Sequence, residues 1–195
     1  MMIPGKFLAF GLVLSLLSCN GKLTPNEYVE KYLRDARTIQ EQGGIEVSGM
    51  VLSDEFLAAR AWSSLDSANQ MGYPTVQHSN PKLVRFQIEI RPKTPETWPA
   101  WSGSATKIFR QGVTEWLHLN CPDGTSNPAL SVNVPPRSSE IAHSFGAVAI
   151  FSATSINGAP LDLETCEVML DSNPFCPLPV RLKIAKQPSF HLASE

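Results

Sequence analysis

Two pairs of residues in this chain stand at spacings that reactive groups use. In Ser104-Ala105-Thr106-Lys107 a hydroxyl and an amine stand three positions apart, one turn if the segment is helical. Prolines and glycines before Ser104 argue against a helix there. His118 and Cys121 stand three apart and suit a shared metal ion, but no second pair at ligand spacing accompanies them. Cys121 and His143 would form a thiol–imidazole pair only if the fold joined them, and His78 and His191 are scattered. Gly-x-Ser-x-Gly elbows, phosphate-binding glycine loops and His-Glu-x-x-His zinc motifs are absent from the sequence. The sequence therefore names no catalytic residue, no metal site and no cofactor.

Trp98 and Trp101, in a segment from Pro92 to Gly103 that also holds Pro95 and Pro99, are the most suggestive features outside catalysis. Indoles held on a stiff loop offer flat apolar faces with one donor each, on which sugar rings or peptide side chains stack. The alternative is that both fold back and cap the core.

The segment Phe7 to Cys19 (FLAFGLVLSLLSC) has a single cation, Lys6, ahead of its apolar run and Ser18-Cys19 behind it. It falls short of the ~20 residues that span a bilayer, and its order of charge, apolar run and small residue is that of a secretory signal peptide. If Cys19 is used for attachment, Cys121, Cys166 and Cys176 remain in a compartment that permits disulfides. Cys166 and Cys176, near in sequence and flanking a turn at Ser172-Asn173-Pro174, are the expected disulfide, with Cys121 as the odd thiol.

Hydrophobic residues at 43% and charged residues at 17% describe a globular chain. A net charge of −2 without a basic cluster gives no case for nucleic acid as a partner. Sixteen prolines favour β-structure and loops over long helices. Thr24-Pro25-Asn26-Glu27 reads as a capping box with proline at the first helical position. Tyr28, Val29, Tyr32, Leu33, Ala36 and Ile39 continue it as a stripe, which predicts a helix over about 25–40 stopped by Gly43-Gly44. Ile45 to Leu52 reads as a strand, Asp54 to Ala68 as helix or strand, and Gly72 to Pro81 as a loop. Leu83 to Ile90 alternates most clearly, with Val84, Phe86, Ile88 and Ile90 on one side. Thr106 to Phe109, Val113 to Leu119, Ala129 to Val134, Ala147 to Ala153, Leu161 to Leu170 and Val180 to Ile184 complete the expected strands. Pro122-Asp123-Gly124 marks a tight turn, and Asn157-Gly158 a two-residue hairpin. The fold class expected is α+β, mainly β, with an N-terminal helix packed on an antiparallel β-sandwich-like sheet. The expected organisation is a signal peptide over 1–18, a lipidated cysteine and short tether over 19–23, one globular domain over 24–188 and a frayed tail over 189–195.

Leu16-Leu17-Ser18-Cys19 resembles the lipobox of bacterial lipoproteins. Together with the Leu23-Thr24-Pro25-Asn26-Glu27-Tyr28-Val29 opening, the chain resembles small uncharacterised lipoproteins of the Gram-negative envelope. That resemblance implies acylation of Cys19, attachment to a membrane through its acyl chains, and, with Asn20 after the cysteine, the outer membrane. The resemblance carries no activity with it; the single domain and the lack of a catalytic constellation lead to the expectation that the chain binds or scaffolds an envelope protein or glycan. Ser104-x-x-Lys107 and Ser131-Val132-Asn133 likewise resemble two motifs of penicillin-binding proteins and serine β-lactamases, but the Lys-Thr-Gly motif is missing after residue 133.

Overall fold

The computed structural model describes residues 22–65, 70, 72–94, 103–135 and 144–193. It is a mainly β, α+β domain with three layers. The central layer is a five-stranded antiparallel sheet in the order β2-β3-β4-β8-β7, formed by Thr38–Gln42, Ile45–Val51, Leu83–Pro92, Phe145–Ser152 and Ser131–Asn133. One side of it carries α1 (Pro25–Asp35) and α2 (Asp54–Ser63). The other side faces α3 (Gly103–Trp116) and a four-stranded antiparallel sheet, β10-β9-β5-β6, formed by Val180–Lys183, Glu167–Leu170, Leu117–Asn120 and Ser126–Pro128. The expected sandwich-like arrangement with a front helix is present.

The alternation of β4 explains the layering. Val84, Phe86, Ile88 and Ile90 are buried in the larger core with Phe109, Phe145, Phe175 and Leu182. The smaller core lies on the opposite face, where Tyr28, Tyr32 and Phe56 cover Met50, Leu52 and Ala59. Phe56 stacks on Tyr32 at 4.6 Å between ring centroids.

The capping box forms as read: Glu27 N donates to Thr24 Oγ1 and Thr24 N donates to Glu27 Oε2. The helix nevertheless ends at Asp35, with Ala36 as its cap, and Ile39 lies exposed in β2. Gly43-Gly44 does not stop the helix; both residues take positive φ and close the β2–β3 hairpin, whose last pair is Gln42↔Ile45. Consecutive left-handed residues are what a two-residue hairpin turn demands.

Three further expectations are corrected. Thr106 to Phe109 and Val113 to Leu119 do not form two strands; 103–116 is helix, and the strand begins at Leu117. Ala105, Phe109 and Val113 fall on one face of that helix and are all buried, so helical periodicity outweighs the strand preference of the β-branched and aromatic residues. Asn157-Gly158 does not make a two-residue hairpin. Of the two, Gly158 alone has positive φ, Gly158 N bonds Ser155 O, and a single bridge, Thr154↔Pro160, flanks the turn, so 161–170 leaves for the other sheet. The tail is not frayed through its length: His191–Leu192 (β11) pairs in parallel with Lys22–Leu23 (β1), and Leu192 is buried.

Gly49, mid-strand in β3, is a packing requirement. A Cβ there would lie 2.4 Å from the Phe86 ring and 3.0 Å from Leu182. Both neighbours are buried, so neither can withdraw freely. Gly49→Ala is expected to destabilise the domain by about 1–3 kcal/mol, read as a lower denaturation midpoint; an unchanged midpoint would show that the Phe86 ring yields.

Candidate functional site

The cysteines are placed by strand pairing. β5 and β9 run antiparallel with Asn120 opposite Glu167. The residues just beyond that pair, Cys121 and Cys166, therefore face each other, their Cα atoms 4.2 Å apart, and they form the disulfide. The expected Cys166–Cys176 bond is thus replaced by Cys121–Cys166. Cys176 instead belongs to a turn organised by Asn173, whose Oδ1 accepts from the N–H groups of Phe175 and Cys176. Its thiol is free and buried, and burial pushes its pKa up to about 12, far from nucleophilic.

This pairing removes Cys121 from both roles read for it. The residue cannot ligate a metal beside His118 as a thiolate or act as a nucleophile with His143, which lies outside the described residues. His118 Nε2 instead lies 3.2 Å from Asp171 Oδ2 and 3.1 Å from the Glu115 carbonyl. Among the described residues no group of three His, Cys, Asp or Glu could hold a metal ion. Ser104 and Lys107 do share a helix, contrary to the reading of the prolines, but Lys107 is exposed on it. Ser131 and Asn133 belong to the edge strand β7. Cys19, Trp98 and Trp101 lie outside the described residues.

The features that the sequence did not reveal lie on the helix side of the central sheet. Arg37, just past α1, donates to Ser48 Oγ at 2.6 Å and to Glu89 at 3.1 Å, closing a small hollow of about 40 Å³. Glu46 pairs with Arg91 across β3 and β4, and Glu41 pairs with Lys93. Farther along β4, Arg85 pairs with Asp54 at 3.1 Å, and Ser79 donates to the same carboxylate through N and Oγ. Asp54, Arg85, Thr75 and Gln77 with the apolar side of α2 (Leu57, Ala58, Ala61) line an open cleft of about 360 Å³. The Asp54–Ser79, Asp54–Arg85 and Arg37–Glu89 partners are separated by 25 to 52 positions in sequence, so no local spacing signals them.

A third feature is a groove along α1. The segment 186–190 runs beside the helix, and with Lys31 and Asp35 it encloses an open depression of about 410 Å³. Gln187 lies 2.8 Å from the Tyr32 hydroxyl, Phe190 packs edge-on to Tyr28, and Lys31 Nζ stands 4.7 Å above the Phe190 ring.

The chain matches no protein-family model, no curated protein and no solved structure.

Non-reducing peptide mapping should recover Cys121 joined to Cys166, and Cys121→Ala with Cys166→Ala should lose roughly 2–4 kcal/mol in the chain-entropy picture; a Cys166–Cys176 cross-link would contradict the strand register. Burial works against the Asp54 carboxylate, but bonds from Ser79 and the Arg85 guanidinium outweigh it and hold its pKa below the ordinary value. A depressed folded pKa means that the stability is full above the unfolded value near 3.8 and is lost as pH falls through the folded one. Asp54→Asn should therefore lower stability at pH 7 and flatten the acid limb of a stability–pH curve; an unaltered acid limb would show the pair to be energetically idle.

Proposed function

We propose that this chain is a lipid-anchored protein of the bacterial envelope, exported by residues 1–18 and held to the membrane, by preference the outer membrane, through acyl chains on Cys19. Its domain binds or scaffolds another envelope component, protein or glycan, and does no catalysis. The observation that supports export is the Cys121–Cys166 disulfide, a bond that persists in oxidising compartments and is rare in reducing ones. The lipobox and the opening of α1, both shared in character with small envelope lipoproteins, support the anchor. β1 begins at Lys22, so a cysteine acylated at 19 leaves the domain little freedom to leave the membrane surface.

The charged groups on the helix side of the sheet suit recognition more than chemistry. Each of the pairs Arg37–Glu89, Arg91–Glu46 and Arg85–Asp54 neutralises itself. A nucleophile needs a neighbouring base or a depressed pKa, whereas the free thiol Cys176 is buried and its pKa is raised. The second reading, a small hydrolase or carbohydrate binder built on Trp98 and Trp101, rests on residues outside the described ones, and no other observation favours it.

Mass spectrometry of the protein extracted from membranes should find a mature chain beginning at an acylated Cys19. Cys19→Ala should leave the precursor uncleaved or the domain unanchored. A mature N-terminus elsewhere, or an unmodified Cys19, would overturn the proposal.

A further inference from the structure

We propose that the groove between α1 and the segment 186–190 seats the phosphates of anionic phospholipid headgroups, so that this flank of the domain lies on the membrane that the anchor reaches. The inference rests on the acylation of Cys19 proposed above and adds an orientation to it.

Covalent reach is the first argument. Asn20 and Gly21 alone lie between the acylated Cys19 and Lys22 of the sheet, and three residue steps span at most about 10 Å. Lys22 is locked by its pairing with His191, and His191 directly follows Phe190, a wall of the groove. The headgroup layer is roughly 5–7 Å deep on each side of a bilayer. Residues that border β1 must therefore lie at or near that layer, whereas the four-stranded sheet lies across the central sheet from α1.

Charge is the second argument. Lys31 and Lys186 line the groove, and Lys22 and His191 are exposed at its β1 end. Asp35 is the carboxylate among the lining residues; Arg34 at 3.0 Å and Lys31 at 3.5 Å share it, so these three groups together keep one net positive charge. Of the neighbouring carboxylates, Glu55 faces His191 at 3.6 Å, whereas Glu27 keeps its charge in the Thr24 capping box and works against the attraction. Glu30 is exposed on α1 and opposes the attraction. The groove also has an apolar wall, Pro188 and Phe190, with the Lys31 ammonium held over the Phe190 ring. Each lysine near an anionic surface strengthens binding about five-fold.

The acylated full-length protein in nanodiscs carrying a headgroup spin label provides the test. With phosphatidylglycerol in the disc, the amide signals of Lys31, Lys186 and Phe190 should broaden strongly, while those of the turn at Asp123-Gly124 stay sharp. The broadening at the groove should fall several-fold in discs of phosphatidylcholine alone and in Lys31→Gln with Lys186→Gln, whose amide dispersion reports that the fold is intact. Equal broadening with either lipid or an undiminished effect in the variant would overturn the seating of anionic headgroups, and broadening centred on another face would overturn the orientation, each leaving the anchor standing. A protein that does not stay with the discs during gel filtration would overturn both.

Discussion

One row of side chains must be kept from water, and the rest of the molecule is arranged to do so. Val84, Phe86, Ile88 and Ile90 occupy alternate positions of β4, each no more than 4% exposed. A fully buried residue of this kind contributes about 1.5–3 kcal/mol, but only if a second layer closes over it. The four-stranded sheet and α3 supply that layer, bringing Leu117, Leu119, Val168, Leu170 and Leu182 against it with Phe109. The constraint is tight enough that the facing position of β3 is glycine. On the reverse of β4, Arg85, Gln87, Glu89 and Arg91 cannot meet an apolar cover. The helices therefore shield the sheet through Met50 and Leu52, and the charged members of the polar row meet partners of opposite charge.

The legible part of this architecture is the part written in local periodicity. The capping box of α1, the alternation of β4 and the turn at Asp123-Gly124 each depend on residues within a few positions of one another, and each forms as read. Readings fail where a distant partner decides. Phe109 and Val113 have the side chains of a strand, and they are helical because their spacing buries them together, Phe109 against Phe145 and Phe175. Gly43-Gly44 looks like a helix stop until the strand on its far side is known to turn back. Short loop length favours the wrong disulfide, because strand register across 45 residues is what brings Cys121 to Cys166. The paired groups Asp54–Arg85 and Arg37–Glu89 have no signal at all, because each partner comes from a separate element.

The two kinds of cysteine in the described domain illustrate how environment separates identical chemistry. Cys121 and Cys166 stand at the ends of adjacent strands, where a covalent link clamps β5 to β9 at the rim of the sandwich. Cys176 is enclosed by the turn that Asn173 holds, and an apolar surrounding keeps it protonated. The clamp closes a long loop of chain that includes β6, β7 and β8.

The short parallel pairing of Lys22–Leu23 with His191–Leu192 has a consequence for the order in which the molecule can be made. Its two halves come from opposite ends of the domain, so the contact is among the most non-local that the fold contains. During synthesis α1 emerges before Phe190, which packs edge-on to Tyr28, and before Gln187, which lies 2.8 Å from the Tyr32 hydroxyl. The aromatic face of α1 must wait for its cover until residues 187–190 arrive. The packing of α1 is thus tied to residues far along the chain: a polypeptide that stops short of residue 187 lacks the strap over this helix.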